Sequence, residues 1–255
     1  MAELKALIFD VDGTLAETER DAHRVAFNAT FKQFGLDWYW SEALYGDLLK
    51  VTGGKERIRY YINDFGGKVP DNIDDLDSFI AELHKDKTAR YYDIMVNENV
   101  PLRPGIARLF KEAREAGLTL AISTTTSPKN IEALLAHNLD PEAMSWFKVV
   151  AAGDMVKQKK PAPDVYQLAL DGLELPANQC IAFEDSINGL KSAKGVDLPT
   201  VITVSGYTNH EDFTGADIVL TNLGEPDAPM EVIAGDVGDA DYITIDVLKK
   251  LAAQW

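Results

Sequence analysis

The sequence predicts an α/β fold, in which a doubly wound, mostly parallel Rossmann-like sheet is interrupted by an inserted all-helical domain. Two observations support this prediction. Short apolar runs alternate with helical patterns in the second half of the chain, and such alternation indicates βαβ units and a parallel sheet. Between the first apolar run and this region, a long segment shows helical periodicity alone. The helical segment is therefore expected as an insertion after the first strand.

Composition limits the classes of protein to which the chain can belong. It has 255 residues, of which 46% are hydrophobic, and this is enough to form a sizeable core. Its 41 acidic and 25 basic residues give a net charge of −16, which argues against nucleic-acid and anionic-membrane partners because both need a basic surface. Cys180 is the single cysteine, so an intrachain disulfide is excluded. We expect a cytoplasmic protein, since no apolar run approaches the length that spans a bilayer.

The first predicted elements are a buried strand and an amphipathic helix. Residues 4–9 form a short apolar run that ends at acidic residues and a glycine, as is typical of a parallel strand that leads into a binding loop. Thr18, with Asp21 three residues later, resembles a helix-capping box, and Gly35 ends the helix that begins there. The apolar residues expected on the buried face of this helix are Val25, Phe27, Phe31 and Phe34.

The remaining predicted elements divide at about residue 100. Three helices are predicted at residues 41–51, 55–65 and 75–98, separated by glycine and proline turns. Further helices are predicted at residues 106–116, 128–137, 163–173 and 186–194, and strands at residues 118–124, 148–152, 180–183 and 200–204. Residues 222–241 are predicted to form a surface loop before a terminal helix. We expect a core domain of residues 1–17 and 100–255 and a helical domain of residues 18–99.

A pair of carboxylates follows the first predicted strand. Asp10 and Asp12 are two residues apart, so both side chains can face one site from extended backbone, and Gly13 permits a tight turn beside them. Because two crowded carboxylates repel each other, a bound Mg²⁺ is the natural way to keep both ionised. A surface turn with capping acids explains the same residues, and the short motif alone does not decide between these interpretations.

Polar residues also follow the other predicted strands, at the edge of the sheet where open α/β folds bind ligands. Thr124 and Thr125 precede a helix start, where hydroxyls and free amides can bind an anion. Lys160 and the adjacent Glu184 and Asp185 lie at two further junctions between a strand and a helix. Taken singly, these residues are explained as helix caps and a solvated lysine. Four such coincidences at one edge of a sheet favour a functional site.

In order and spacing, these residues resemble the four motifs of the haloacid dehalogenase-like phosphohydrolases. The motifs are Asp10-x-Asp12-Gly13-Thr14, the strand-terminal Thr124, Lys160-Pro-x-Pro-Asp and Glu184-Asp185-Ser186. The resemblance covers essentially the whole chain, and the inserted helices resemble the small cap domain of that superfamily. It implies a Mg²⁺-dependent phosphatase that forms an aspartyl-phosphate intermediate, with a mobile cap of residues 18–99 that closes over the substrate.

The resemblance also implies a role for each matching residue. Asp10 would be the nucleophile, and Asp12 the acid that protonates the leaving alcohol and then the base that activates water. Thr124 and Lys160 would hold phosphoryl oxygens, which is coherent because phosphoryl transfer mostly requires positioning and charge neutralisation. The implied Mg²⁺ ligands are Asp10, the backbone carbonyl of Asp12, and Asp185. Glu184 would bind the ion directly or contact one of its ligands.

A narrower resemblance, carried by residues 27–31, 52–57 and 205–213, is to CbbY-type sugar-phosphate phosphatases. It implies that the substrate is xylulose-1,5-bisphosphate and the product xylulose 5-phosphate. The Gly-Gly-Lys turn within residues 52–57 could clamp a remote phosphate, and Arg57 adds a bidentate fork; a solvated helix start is the alternative. The expected substrate contacts are Glu17, His23, Gly54, Lys55, Arg57, Thr124, Thr125 and Lys160.

Other functions would use the same residues. A phosphosugar mutase of the β-phosphoglucomutase type differs only in the fate of the aspartyl-phosphate and is the alternative to a phosphatase. A dehalogenase is disfavoured because its reaction has no leaving alcohol for Asp12 to protonate, and a non-catalytic phosphosugar sensor would not need Asp12. Arg103, beside Pro104 at the return from the inserted helices, could simply pair with a surface acid. We expect a monomer whose partner is a small phosphorylated sugar.

Overall fold

The structure of the protein, a computed structural model, describes residues 3–98 and 100–255. The chain forms two compact units, one made of Met1–Glu17 and Pro101–Trp255 and the other of Thr18–Val100. The first unit contains a β-sheet with flanking helices, and the second is helical. Among the described residues, no helix is both long enough and apolar enough to cross a membrane.

Seven strands form one sheet in the part of the chain that the structure describes. They are β1 (Ala6–Phe9), β2 (Thr119–Ser123), β3 (Phe147–Ala151), β4 (Cys180–Glu184), β5 (Thr200–Thr203), β6 (Ile218–Leu220) and β7 (Val232–Ala234). Their order across the sheet is β3-β2-β1-β4-β5-β6-β7, and all neighbours are parallel except β6 and β7. The predicted α/β class with a mostly parallel sheet is therefore confirmed.

α-Helices flank the sheet in the first unit and form the second unit. The helices of the second unit are α1 (Arg24–Gln33), α2 (Glu42–Leu48), α3 (Gly54–Asp64) and α4 (Leu76–Asn97), with a π-helical turn at Glu19–His23. Those of the first unit are α5 (Ile106–Glu115), α6 (Pro128–Asn138), α7 (Asp164–Leu173), α8 (Ile187–Lys194) and α9 (Ile245–Ala252). The described residues of the second unit contain no strand, in agreement with the helical periodicity of this segment.

Strand β1 lies in the middle of the sheet. It pairs with β2 on one side and β4 on the other, and its register places Phe9 beside Ile122 and Phe183. All of its residues are buried, which explains why the sequence shows a continuous apolar run rather than an alternating pattern. The chain that follows β1 is therefore delivered to the centre of the carboxyl edge of the sheet.

Helices cover both faces of the sheet. Phe9 contacts Phe110 of α5, with ring centroids 4.9 Å apart, whereas the preceding Ile8 belongs to a cluster that contains Val165 and Tyr166 of α7. Successive residues of a strand point to opposite faces, so α5 and α7 pack on opposite faces of β1. This arrangement confirms the doubly wound architecture.

The boundaries of most predicted elements agree with the structure to within three residues. Strand β1 begins two residues later than predicted, at Ala6. The prediction that residues 222–241 form a loop is wrong over Val232–Ala234, which pairs antiparallel with β6. The three residues of β7 are all exposed, so they lack the burial pattern by which strands are identified in a sequence. Strand β6, a buried apolar run of three residues, was not predicted either.

The capping box predicted at Thr18 is wrong. The backbone of Thr18 is already helical, with φ of −74° and ψ of −22°, and its side chain makes no capping hydrogen bond. Capping side chains reach the first turn from extended backbone, as Ser41 and Asp75 do at α2 and α4. At the other end of α1, Gly35 has φ of +69°, so this glycine ends the helix as predicted.

The buried face of α1 differs from the prediction at Val25. Phe27 and Phe31 are fully buried and Phe34 is partly buried, but Val25 is 40% exposed. Positions 25 and 27 are about 200° apart around a helix and cannot share one face. The buried neighbour of Phe27 is instead Ala26, a residue too small to stand out in the apolar pattern.

Gly105 provides a test of backbone packing at the start of α5. Its φ is +86°, and an added Cβ would lie 2.6 Å from the Cβ of Leu223 and 2.7 Å from the carbonyl oxygen of Gly224. Gly117 has a similar φ of +74°, but an added Cβ there would have no neighbour within 4 Å. We expect Gly117→Ala to lower the free energy of unfolding by about 1 kcal/mol and Gly105→Ala by about 2–4 kcal/mol, because only Gly105→Ala adds a clash to backbone strain. Urea unfolding measures both values, and equal losses would contradict this account of Gly105.

Candidate active site

Three adjacent strands bring predicted site residues to the same edge of the sheet. Asp10 follows β1, Thr124 follows β2, and Glu184 and Asp185 lie at the end of β4. Because β1 lies between β2 and β4 and all three are parallel, their carboxyl ends meet. The N–H of Asp10 donates to the carbonyl oxygen of Phe183 at 3.0 Å, so the sheet ladder itself holds the start of the loop.

Lys160 joins the ends of these three strands. Its Nζ donates to Oδ1 of Asp10 at 2.6 Å, to Oε1 of Glu184 at 2.5 Å and to the carbonyl oxygen of Ser123 at 2.9 Å. An ammonium has three protons, and these acceptors can use all of them. The side chain comes from the loop before α7 and is buried, so the interpretation of Lys160 as a solvated lysine is wrong.

Three carboxylates face one another beside this lysine. One oxygen each from Asp10, Glu184 and Asp185 can be chosen so that all lie within 4.8 Å of one another, and all three residues are buried. The interpretation of Asp10 as part of a surface turn is therefore wrong. A helix cap is present after β4, but its side chain is that of Ser186 and not of Glu184 or Asp185. The sequence placed them at separate strand ends, and the parallel order of β1 and β4 brings them together.

Burial and crowding shift the pKa values of this group. Burial raises the pKa of Asp10 to about 7, because the charge of Lys160 offsets only part of the lost solvation and the charge of Glu184 adds to the shift. Burial also raises the pKa of Asp185 well above its usual range, with Asp10 and Glu184 adding to the effect. Burial lowers the pKa of Lys160, but Asp10 and Glu184 outweigh it and hold that pKa above its usual value. Lys160 therefore stays charged, while Asp10 and Asp185 resist ionisation.

The donor set fits a divalent metal ion that prefers oxygen ligands. Three buried carboxylates face one ammonium, so the ionised group carries surplus negative charge. Oε2 of Glu184 is buried and has no hydrogen-bond partner among the described residues. An added Cβ at Gly13 would lie 2.2 Å from Oδ2 of Asp185, and one at Gly189 would lie 1.8 Å from Oε2 of Glu184. The two glycines leave room for carboxylates where other residues would exclude them.

Asp12 lies in the turn that follows β1. The residue is half-buried, its backbone forms a bridge with Ala16, and the N–H of Gly13 donates to the carbonyl oxygen of Ala16 at 2.8 Å. Gly13 has φ of +88°, a conformation that favours glycine, so the predicted tight turn is present. The group of three buried carboxylates does not include Asp12, whose predicted metal contact is its backbone carbonyl.

Thr124 and Thr125 lie between β2 and α6. Thr124 is buried, and its Oγ1 accepts a hydrogen bond from the N–H of Thr126 at 3.3 Å, whereas Thr125 is half-buried. Ser127 occupies the N-cap position of α6, but its side chain makes no capping hydrogen bond. An ordinary helix cap therefore does not account for this run of hydroxyls.

Glu17 and Arg103 lie where the chain leaves and re-enters the first unit. Oε1 of Glu17 is 3.5 Å from Nε of Arg103, and Oε2 accepts a hydrogen bond from the N–H of Gly206 at 3.4 Å. Arg103 is only 8% exposed. Its other acceptors are the carbonyl oxygens of Gly13, Thr203, Val204 and Thr221. Arg103 does pair with an acid, the half-buried Glu17, but this pairing alone does not account for the residue, because most of its partners are backbone carbonyls.

His23 is buried in the second unit. Its ring stacks on Tyr91 with centroids 4.0 Å apart, and its Nδ1 contacts the ammonium of Lys87. Lys87 is also buried, and its Nζ lies 4.8 Å from the centroid of the Phe27 ring. Sequence reasoning missed Lys87 because a lysine within a long helix is usually exposed.

The other predicted residues of the second unit differ in their environments. Arg57 is buried, and its NH1 donates to the hydroxyl of Tyr45 at 2.7 Å, while that hydroxyl donates to Oε2 of Glu19 at 2.5 Å. The alternative of a solvated Arg57 is therefore wrong. Gly54 and Lys55, at the start of α3, are half-buried.

Two residues beside the carboxylates were missed by sequence reasoning. The hydroxyl of Tyr166 donates to Oε1 of Glu184 at 2.7 Å, and the side chain of Ser205 favours the charged form of Asp185, which lowers the pKa of that carboxyl against the larger effect of burial. Tyr166 lies on the buried face of α7. A buried tyrosine hydroxyl usually needs a hydrogen-bond partner, and this was the one weak indication in the sequence that Tyr166 contacts a polar group. No pattern in the sequence distinguishes Ser205 from other serines in loops.

Comparisons with known proteins identify the family of this chain. A sequence model of the family described as haloacid dehalogenase-like hydrolase matches residues 4–197. Protein CbbY of Rhodobacter capsulatus is 53% identical over 221 residues, which cover 87% of this chain and 94% of the relative. The crystal structure of CbbY from Rhodobacter sphaeroides in complex with phosphate has a TM-score of 0.80 and 47% identity, and the match covers 86% of this chain and 94% of that one. A mutant of the same protein in complex with xylulose-1,5-bisphosphate has a TM-score of 0.80 and 46% identity with the same coverage.

The raised pKa values of the buried acids predict how stability depends on pH in metal-free protein. When folding raises the pKa of a carboxyl, the group does not affect the free energy of unfolding at a pH below its pKa in the unfolded chain. As the pH rises from that value toward the pKa in the folded protein, the group destabilises the fold. For Asp185, whose usual value is 3.8, this loss begins above about pH 4. In EDTA, we expect Asp185→Asn to be more stable than wild type at pH 7 and equal to it near pH 4. Urea unfolding across this pH range measures the difference.

Asp171→Asn provides the matched control for this prediction. Asp171 is an exposed acid on α7 outside the group, so its variant should follow the wild-type pH profile. Parallel profiles for Asp185→Asn and wild type would contradict the account of the crowded carboxylates.

Proposed function

Since the chain belongs to the haloacid dehalogenase-like hydrolases and, within them, to the CbbY-type phosphatases, we propose that it hydrolyses a sugar bisphosphate, with xylulose-1,5-bisphosphate as the preferred substrate. The observation that carries the proposal is the buried group in which Lys160 binds both Asp10 and Glu184, with Asp185 beside them. This group combines a nucleophile of suitable chemistry with the charges that phosphoryl transfer requires. The complex of a related CbbY with xylulose-1,5-bisphosphate supports the choice of sugar.

In the proposed reaction, Asp10 attacks the phosphorus atom of the substrate. Lys160 holds Oδ1 of Asp10 at 2.6 Å, so we assign the attack to Oδ2. The bond from Oδ2 to phosphorus forms as the bond to the sugar oxygen breaks, and Asp12 gives its proton to that leaving oxygen. Asp12 then accepts a proton from water, which attacks the aspartyl-phosphate, and phosphate leaves as the Asp10 carboxylate is restored.

We propose Mg²⁺ as the cofactor of this site. Its ligands would be Asp10, the backbone carbonyl of Asp12, Asp185 and, directly or through water, Glu184. The surplus of buried carboxylates and the unpartnered Oε2 of Glu184 support this assignment. When bound, Mg²⁺ supplies positive charge that stabilises the phosphoryl oxygens in the transition state.

The remaining contacts to the transferred phosphate are proposed for Lys160, Thr124 and Thr125. The Lys160 ammonium lies beside the attacking carboxylate, where it can also face an oxygen of the transferred group. Thr124 and Thr125 lie before the start of α6, where the positive end of the helix dipole favours an anion. Together these groups bind the phosphate and orient it in line with Asp10.

We further propose that residues 18–99 act as a cap domain that recognises the rest of the substrate. A sugar bisphosphate carries a second phosphate, and Gly54, Lys55 and Arg57 offer amides and cations to bind it. His23, together with Glu17 of the core, would bind the sugar hydroxyls. The burial of His23 and Arg57 supports defined positions for both side chains.

A screen for phosphate release tests the proposed substrate. Purified protein with Mg²⁺ is incubated with a panel of sugar mono- and bisphosphates that includes xylulose-1,5-bisphosphate, ribulose-1,5-bisphosphate and hexose bisphosphates. We expect kcat/KM for xylulose-1,5-bisphosphate to exceed that of every other substrate by about tenfold or more, because hydroxyl contacts discriminate between sugars. The product should be xylulose 5-phosphate and one equivalent of phosphate.

The products also decide between the alternatives. Isomerised sugar phosphate without phosphate release, in a reaction primed with a bisphosphate, would indicate a mutase. No release from any member of the panel would overturn the phosphatase and indicate a sensor.

The variant Asp10→Asn tests the nucleophile. We expect kcat to fall by about 10³-fold or more, because an amide cannot form the aspartyl-phosphate. Circular dichroism and the melting temperature should show a folded protein. Asp171→Asn, which removes an exposed carboxylate of α7, is the control and should keep full activity. Turnover by Asp10→Asn near the wild-type rate would rule out this mechanism.

A further inference from the structure

We propose that Arg103 is a positioning residue for the reaction, which orients Asp185 and the turn after Asp12 without contacting the substrate. The inference rests on the proposed function, in which Asp185 holds Mg²⁺ and Asp12 moves the proton. It concerns a residue outside the four motifs, one that lies at the point where the chain re-enters the first unit.

The guanidinium of Arg103 is buried and bound on several sides. NH1 donates to the carbonyl oxygens of Gly13 and Thr203, the latter at 2.9 Å. NH2 donates to the carbonyl oxygen of Val204 at 2.6 Å and to that of Thr221 at 2.8 Å. A buried charge is tolerated only when polar partners replace the water that it loses. Moving any of these carbonyls away from the guanidinium is therefore costly, and the charge of Arg103 fixes their positions.

The four carbonyls come from loops on both sides of β4. Gly13 follows β1, Thr203 and Val204 lie at the end of β5, and Thr221 follows β6. In the sheet, β4 lies between β1 and β5, and β4 leads into Asp185. Arg103 therefore connects the loops that flank the strand carrying the metal-binding acids.

Two routes lead from Arg103 to Asp185. The first route passes through Gly13, whose carbonyl oxygen accepts from Arg103. A Cβ added to Gly13 would lie 2.2 Å from Oδ2 of Asp185, so the carboxylate packs directly on this glycine. Ser205 follows Val204, another residue held by Arg103, and its side chain lies beside Asp185, whose charged form it favours. The carboxylate is thus fixed from both sides by backbone that one guanidinium positions.

Arg103 also contacts Glu17, which we propose binds substrate. Its Nε lies 3.5 Å from Oε1 of Glu17. Its own N–H donates to the carbonyl oxygen of Leu15 at 2.8 Å, and the neighbouring Leu102 forms a bridge with Ala16. The segments that connect the first unit to the second are therefore paired with each other within the first unit.

The geometry requires arginine rather than any cation. NH1 and NH2 diverge from a rigid plane and reach carbonyls in three different loops. A lysine has a single ammonium on a flexible stem and cannot span the same acceptors. We therefore expect Arg103→Lys to fail to restore function although it keeps the charge.

Arg108 offers a matched control within the same unit. Its NH1 donates to the carbonyl oxygen of Ile243 at 2.8 Å, its NH2 to that of Gly224 at 2.8 Å, and its Nε pairs with Glu225 at 3.1 Å. It is thus another inward-facing arginine that binds several carbonyls, but none of them belongs to the loops after β1 or β5. Loss of Arg108 should cost stability without affecting the reaction.

The experiment compares Arg103→Met, Arg103→Lys and Arg108→Met. We expect both Arg103 variants to lower kcat by about 10–100-fold and to raise the Mg²⁺ concentration needed for half-maximal rate, with KM changed by less than about threefold. Arg108→Met should melt at a lower temperature but keep kcat within about twofold of wild type.

A second measurement does not depend on turnover. Mg²⁺ alone, without substrate, should raise the melting temperature of wild type and Arg108→Met but raise it less in the Arg103 variants, because misplaced Asp185 binds the ion weakly. If wild type releases no phosphate from any sugar phosphate, the proposed function fails, and this measurement still tests the role of Arg103.

Three results would overturn the inference. They are full kcat and an unchanged Mg²⁺ dependence in both Arg103 variants, an equal loss of kcat in Arg108→Met, and rescue of wild-type kinetics by Arg103→Lys. If neither Arg103 variant folds, the residue has a general structural role, and the inference is also wrong.

Discussion

The interaction of Lys160 with Asp10 and Glu184 is the contact on which the rest of the site depends. Removing these charges from water is costly, and only direct pairing offsets that cost. The pairing is available because β1, β2 and β4 are adjacent and parallel, which brings three loops to one edge of the sheet. Any change in strand order would leave the lysine or a carboxylate buried without its partner. The order of the strands and the pairing of charges in the site therefore depend on each other.

Around this centre, the protein supports its buried charges with groups that do not react. Tyr166 occupies one oxygen of Glu184, Gly13 and Gly189 leave space for carboxylates, and Arg103 holds the loops on either side of β4. The remaining surplus of negative charge suits a divalent cation. A cation bound at this site, together with Lys160, would supply positive charge locally. This explains how a chain with a net charge of −16 can bind a phosphorylated substrate although its surface as a whole is acidic.

Sequence reasoning succeeded where the signal was local and failed where partners were distant. The apolar run of β1, the glycine at position 35 and the acids after two strands are each recognised from neighbouring residues. Strand β7 is exposed and exists only through pairing with β6, so no local pattern indicated it. For Arg103 the sequence suggested only a pairing with a surface acid, because its carbonyl partners come from segments far apart in the sequence.

The sequence by itself determined the fold class, the helical insertion and the identities of Asp10, Asp12, Thr124, Lys160, Glu184 and Asp185 as candidate site residues. These depend on periodicity and on the residue types found at the end of each strand, which are properties of short segments. Only the tertiary structure decided that Lys160 binds Asp10 and Glu184, that Asp185 packs on Gly13, and that Arg103 is buried among carbonyls. Burial and charge pairing are set by residues that are distant in sequence, so they are decided only when the sheet assembles.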